Sequence, residues 1–282
     1  MAPIALVTAS TSSLPPEIIA SYNIHLIPFI IQFLDGNYKE GIDITLEEFY
    51  RRLELADVVP TTAPTSVAQF IQYFEHEHPE AEAIVVFHVA AQMSKSYANA
   101  VQAAERVPHR RIINIDSHSF SFGTGLQIIE AAKALQAGAT LDEMLQLVQR
   151  YAADTIMLFA PASVRYLRMS GRVGRVPALA ASLLGIQPVL GLRDKGMAIV
   201  DRARSPQAAR ESMLTQLREF LGAQRAYSFG IGHTNAVEAA EALKLIIMRQ
   251  FPDVPVYVSD SGPILAVHGG PGALGLAALR ES

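Results

Sequence analysis

Residues 83–100 read AIVVFHVAAQMSKSYANA: an apolar run, then a cluster of hydroxyls, then a helix-like segment. The β-branched and aromatic residues Ile84, Val85, Val86 and Phe87 predict a buried strand over 84–89. Ser94 and Ser96 then stand at the mouth of the following helix. Similar short runs occur as IALVT (4–8), IHLIPFIIQF (24–33) and RIINID (111–116), with helix-like stretches between them. Strands alternating with helices in this way predict a parallel sheet with crossover helices. In one such stretch Thr45 and Glu48 have capping-box spacing, and Leu46, Phe49, Tyr50 and Leu53 form one apolar helix face.

Beyond about residue 155 the rhythm changes. A strand TIMLFA is followed by short helical stretches and then by GIQPVLGLRDKGMAIVDRARS (185–205), where Asp194, Lys195 and Gly196 read as a hairpin turn between two strands. Hairpins join antiparallel neighbours, which a parallel sheet does not use. Two βα-like units follow, AYSFGIGH with its helix and PVYVSD leading into a closing loop. The expected fold is therefore α/β with two domains. An N-terminal α/β domain (1–155) carries a mostly parallel sheet, and a C-terminal α+β domain (156–282) carries a largely antiparallel one.

Composition excludes several functions. Half of the 282 residues are hydrophobic, 18% are charged and the formal net charge is −4, which describes a compact globule without the basic face that nucleic acid requires. With no cysteine there is no disulfide, thiolate nucleophile or Cys-bound zinc. The stretch MAPIALVTASTSSLPPE lacks a basic n-region and reads as a first strand, and no apolar run reaches membrane-spanning length, so a cytoplasmic protein is expected. His76 and His78 in EHEHPE (75–80) leave a helix on different sides and imply no metal site.

Chemistry concentrates in a few places. In VVPTTAPTSVAQF, Thr61, Thr62, Thr65 and Ser66 surround Pro64 before a periodic run, as Ser94 and Ser96 precede theirs. Such hydroxyls cap helices, and the same geometry binds anions, because a helix N-terminus offers unpaired N–H groups and partial positive charge. His268 adds a further donor. It precedes Gly270, Gly272 and Gly275, whose G-x-G-x-x-G spacing mimics a dinucleotide fingerprint but lacks the second strand and the acidic residue about 20 positions on. That segment reads either as a tightly packed helix start or as a loop holding His268 beside an anionic head group.

Taken in order, the blocks IALVTASTSSLP (4–15), YKEGIDITLEEFY (38–50), PTTAPTSVAQF (60–70), QMSKSYANA (92–100), INIDSHSFSFGTG (113–125), VRYLRMSGRVGR (164–175) and HGGPGALGL (268–276) carry a resemblance. The chain resembles the DegV family of bacterial fatty-acid-binding proteins, which includes the acyl-carrying subunit of the two-component fatty acid kinase. The resemblance implies one long acyl chain in a tunnel between two domains, presented for transport or for phosphorylation by a partner kinase, with no catalytic residue, cofactor or metal of its own. It assigns the carboxylate to Thr61, Thr62, Thr65, Ser94 and His268, with Gly270 and Gly272. The chain departs from the family pattern at Ala9, Thr62, Ala90, Ala91 and Lys95.

The apolar stretch 176–192 and Ile27, Phe29 and Phe33 are candidate tunnel walls. Arg165, Arg168, Arg172, Arg175, Arg202 and Arg204 are a candidate docking face for an acidic partner, against the alternative of a solvated surface. A serine hydrolase acting on an acyl ester, with Ser94, His268 and Asp116 as nucleophile, base and orienter, is the alternative function. It lacks a G-x-S-x-G elbow. A nucleotide-binding module would need a G-x-x-x-x-G-K-[ST] loop, which is absent.

Overall fold

The computed structural model describes residues 3–56, 58–169, 186–193 and 196–281. The chain begins with β1 (Ile4–Ala9), a 3-10 turn (Ser10–Ser12), α1 (Pro16–Ser21) and β2 (His25–Ile27). The run 24–33, expected as one strand, divides here. Pro28 has no N–H to continue the ladder, so β2 ends before it and β3 (Ile30–Phe33) joins a separate small sheet. That sheet is antiparallel, in the order β4-β3-β5, with β4 (Gly36–Lys39) and, after α2 (Leu46–Leu55), β5 (Thr61–Ala63).

The chain returns to the first sheet through α3 (Val67–His76), β6 (Ala83–His88), α4 (Ser96–Glu105) and β7 (Ile112–Asp116). The order β2-β1-β6-β7 is parallel throughout. β6 is buried at every position, which explains its unbroken apolar run. Ile84 and Val86 face Phe70, Phe74, Ala100 and Ala103 of α3 and α4. Val85 and Phe87 point oppositely, into a larger core built around α5 (Phe122–Gln136) and α6 (Leu141–Tyr151).

The second sheet uses β8 (Thr155–Ala160), then, after α7 (Val164–Met169), β9 (Gln187–Arg193) and β10 (Gly196–Ala203). After α8 (Pro206–Leu221) come β11 (Ala226–His233), α9 (Val237–Gln250), β12 (Val256–Asp260), α10 (Gly262–Gly269) and β13 (Leu274–Arg280). Its order is β10-β9-β8-β13-β11-β12, antiparallel except for β11 with β12. β9 and β10 pair antiparallel as expected, and Asp194 and Lys195, expected as the turn, lie outside the described residues. The mixed architecture, a parallel and a largely antiparallel sheet, matches the expectation, to which the structure adds the small β4-β3-β5 sheet.

Met213, Leu217, Leu243 and Ile247 of α8 and α9 cover one face of the second sheet. On its other face Met157, Phe159, Ala277 and Leu279 share a core with Phe122, Leu126 and Ile129 of α5, the same core that receives Val85 and Phe87. α5 therefore lies between the sheets, which explains why it is apolar almost all round. The segment expected as a closing loop is in fact α10 followed by β13, an interior strand. The glycine pattern thus marks a helix end and a strand, and the helix-start reading is corrected.

Candidate functional site

Ligands of open α/β sheets bind beyond the carboxyl ends of the parallel strands. In this chain those ends lead to the 3-10 turn after β1, to Phe29 after β2, to residues 89–94 after β6 and to Phe120 after β7. All of them border one cleft, with roughly 670 Å³ of empty space, part of it open to solvent. The second sheet closes it with Phe159 of β8, Leu167 of α7, Met197 of β10 and Ile264, Leu265 and His268 of α10. Most of this lining is apolar. Hydroxyls and the imidazole gather in Thr11, Thr62, Ser94 and His268.

Each polar side chain arrives by a local rule. β5 pairs Ile31 with Thr62 and Gln32 with Thr61, so period-2 alternation turns Thr62 inward and Thr61 outward. Thr62 Oγ1 stands 3.4 Å from Nε2 of His268. Thr61 is exposed and donates to Gln32 Oε1 at 3.1 Å. The structure therefore separates Thr61 from the group to which the resemblance assigned it. Thr65 is buried and outside the cleft lining, its Oγ1 without a hydrogen-bond partner among the described residues. Its carbonyl accepts from Asn99 Nδ2 at 2.8 Å, tying the β5–α3 connection to α4. Ser66, not a threonine, caps α3 in a reciprocal capping box with Gln69.

Ser94 Oγ accepts from the Ser96 N–H at 3.1 Å. Accepting leaves its own proton available, and the expected capping role is corrected: the N-cap position of α4 is Lys95, with no side-chain cap hydrogen bond. Beneath it, Ser96 Oγ lies 3.4 Å from Nδ1 of His88, whose Nε2 meets Asn114 Oδ1 at 2.9 Å. Burial lowers His88 to about 4, against the Asn114 hydrogen bond and the Asp116 charge, so that imidazole is neutral. Lys95 is exposed.

His268 occupies the last turn of α10. Gly270 ends that helix at φ +76°, where a Cβ would strike the ring of Tyr166. Gly270 and Gly272 do not line the cleft. They shape the return of the chain, held by Thr234, whose Oγ1 donates to the Gly270 carbonyl at 2.6 Å and whose carbonyl accepts from Gly272 N at 2.6 Å.

Asp116 does not orient His268. Its carboxylate accepts from the Ala91 N–H at 3.2 Å and pairs with His118 at 3.6 Å, so the hydrolase arrangement is not assembled. Among the described residues no cluster of three or more His, Cys, Asp or Glu gathers as metal ligands, and no helix is long and apolar enough to cross a membrane. Arg165, Arg168, Arg202 and Arg204 are exposed, whereas Arg172 and Arg175 lie outside the described residues.

Of the candidate walls Phe29 lines the cleft, while Ile27 and Phe33 belong to neighbouring cores. Residues 176–185 lie outside the described ones, and Val189 and Leu190 are sheet core. Sequence reasoning missed Thr11, although the hydroxyl run after β1 sits where a strand end predicts a ligand. It also missed Met93 and Phe120, which lie inside quoted blocks but look like ordinary apolar residues, and Phe159 and Leu265, which no motif marks.

An apolar cleft with a few hydrogen-bonding side chains in its lining is the form of a site for an amphiphile, a long apolar body with one polar group. The model of the DegV family, a family of uncharacterised proteins, matches residues 3–281. A DegV domain-containing protein of Staphylococcus aureus is 28% identical over 276 residues, 98% of each chain. The solved structure of a Thermus thermophilus DegV family protein, which describes its fatty acid binding, is 26% identical and superposes with a TM-score of 0.90 over 99% of both chains. The Bacillus subtilis DegV, a fatty acid binding protein, shares the fold at 23% identity, with a TM-score of 0.90 over 100% of both chains. The chain belongs to the DegV family.

Proposed function

We propose that this protein is a non-catalytic carrier that binds a long-chain fatty acid in the cleft, its carboxylate held by Thr62, Ser94 and His268. The observation that carries the reading is the convergence of those three residues, from β5, the β6–α4 connection and α10, on one apolar cleft. The fatty acid binding of the Thermus thermophilus relative supports it. Burying a methylene is worth about 0.8 kcal/mol, so some fourteen would supply on the order of 11 kcal/mol before immobilisation costs. The tail supplies affinity. The donors satisfy a carboxylate that would otherwise stay in water or protonate, and so fix which end lies where.

In this reading the protein works in the cytoplasm as two domains that divide at 155/156, and it presents the carboxyl group for transport or to a partner kinase. The exposed Arg165, Arg168, Arg202 and Arg204 supply positive charge for docking an acidic partner. Mass spectrometry of an organic extract of the purified protein tests the carrier role: a co-purified fatty acid is expected. No lipid in the extract, together with no binding when fatty acid is added back, overturns it.

A further inference from the structure

Several blocks that the cleft does not use meet at the start of α10. Glu40, from YKEGIDITLEEFY, is 8% exposed. Its Oε2 accepts a hydrogen bond from Ser10 Oγ, and its Oε1 lies 3.5 Å from the Ile264 N–H in the first turn of α10. Ser10 Oγ in turn lies 3.4 Å from the Phe29 N–H, and the Phe29 carbonyl accepts from Glu40 N at 3.0 Å. Gly262 opens α10 at φ +78°, and a Cβ there would collide with the Glu40 carboxylate.

A second carboxylate braces the same helix start. Asp260 accepts from Gly262 N at 2.9 Å, Asn235 N at 3.0 Å and the Tyr50 hydroxyl at 2.9 Å, and pairs with His233 at 3.4 Å. Hydrogen bonds from His233, Asn235, Gly262 and Tyr50 hold Asp260 below the usual carboxylate range although burial opposes them. Tyr50, also from the YKEGIDITLEEFY block, reaches it across from α2. Negative charge at a helix N-terminus is favourable. Asp260 has enough partners to carry that charge alone, and Tyr50 links it to α2, whereas Glu40 links the start of α10 to Ser10 and the Phe29 segment.

What Glu40 touches are the supports of cleft walls. Ser10 immediately precedes Thr11, Phe29 is itself a wall, and Ile264 begins the run that carries Leu265 and His268. We infer that Glu40 is a positioning residue of the binding site: its buried carboxyl group clamps Ser10, the Phe29 segment and the start of α10 together, and thereby sets where Thr11, Phe29 and His268 stand. The inference rests on the fatty-acid reading for its binding readout alone. The clamp itself consists of contacts within the chain.

Glu40→Ala removes the clamp, and Glu40→Gln keeps a group of the same shape that can accept from Ile264 N and bond to Ser10. The expected result is that Glu40→Ala weakens binding of an added fatty acid about tenfold while Glu40→Gln stays within about twofold of the parent. In the ligand-free proteins, the NMR imidazole signals of His268, assigned with a His268→Gln reference, are expected to move in Glu40→Ala and not in Glu40→Gln. If Glu40→Ala does not fold, Ser10→Ala takes its place with the same criteria and about a threefold loss. A lower melting temperature with parental affinity and unmoved His268 signals overturns the inference. A parent protein that binds no fatty acid overturns the reading of the cleft instead, and the His268 signals then decide the clamp alone.

Discussion

Thr62 Oγ1 and His268 Nε2 stand 3.4 Å apart although 206 positions of chain separate them. One hydroxyl comes from a short strand of the small sheet and the imidazole from the last turn of α10, so the pair exists only when both halves of the protein are folded and docked. Their roles in the bond depend on the histidine tautomer, and a carboxylate that bridges them would take a proton donor from each.

If the cleft holds a fatty acid as proposed, Thr62→Ala, Ser94→Ala and His268→Ala each remove a donor to its carboxylate, a loss of about 1.5–3 kcal/mol, or roughly tenfold or more in affinity. Thr61→Ala, on the outer face of the same strand, leaves affinity unchanged. Titration calorimetry with a soluble fatty acid on the four variants checks this. Equal losses at Thr61 and Thr62 would show that the strand and not the side chain matters.

Stability should depend on pH through two buried groups of opposite sign. Burial raises Glu40 from 4.5 to about 7. The unfolded chain therefore ionises first, and the contribution is full below about 4.5 and lost as pH rises to about 7, on the order of 3 kcal/mol. Burial lowers His88 from 6.5 to about 4. Its contribution is full above 6.5 and lost as pH falls toward 4, also on the order of 3 kcal/mol. Between about 4.5 and 6.5 the two slopes oppose each other. Glu40→Gln removes one, so its stability relative to the parent grows by about 3 kcal/mol between pH 4.5 and 7.5 in urea titrations. A constant difference would show that the carboxyl group is solvated.

Gly270→Ala forces a side chain into left-handed backbone and against Tyr166, and should cost at least 1–3 kcal/mol. Combining it with Tyr166→Ala removes the collision and returns part of that loss, while the backbone strain stays. A double-mutant cycle by chemical denaturation measures the coupling.

Phe122 is fully buried where α5 meets the second sheet. Phe122→Ala should cost about 3–5 kcal/mol. A loss below about 1 kcal/mol in the same titrations would mean that α5 and the sheet close the gap freely.

The legible parts of the fold are those where burial leaves a local mark. β6 could be read because both of its faces are covered, so every position is apolar. The antiparallel β9–β10 pair could be read because turn-forming residue types stand between two strand-like runs in the sequence. β13 could not: Gly275, Ala277 and Ala278 are small because the strand is packed closely on both faces, and small residues have no strand preference. α10 is apolar without a face, so no helical period announces it. The same limit applies to the site. Hydroxyl clusters and His268 stand out in the sequence, but which of Thr61 and Thr62 turns inward follows from a strand hidden in a segment that reads as loop. Phe120, Phe159 and Leu265 look like any other core residues.

The place of β13 has a consequence for synthesis. It lies between β8 and β11, so the β10-β9-β8 ribbon and the β11-β12 pair cannot join until residues 274–280 leave the ribosome. At about 5–20 residues per second, β8 waits on the order of ten seconds with one open edge after emerging. During that interval the nascent chain carries two unfinished ribbons with unpaired strand edges, the kind of edge that pairs with a neighbouring polypeptide.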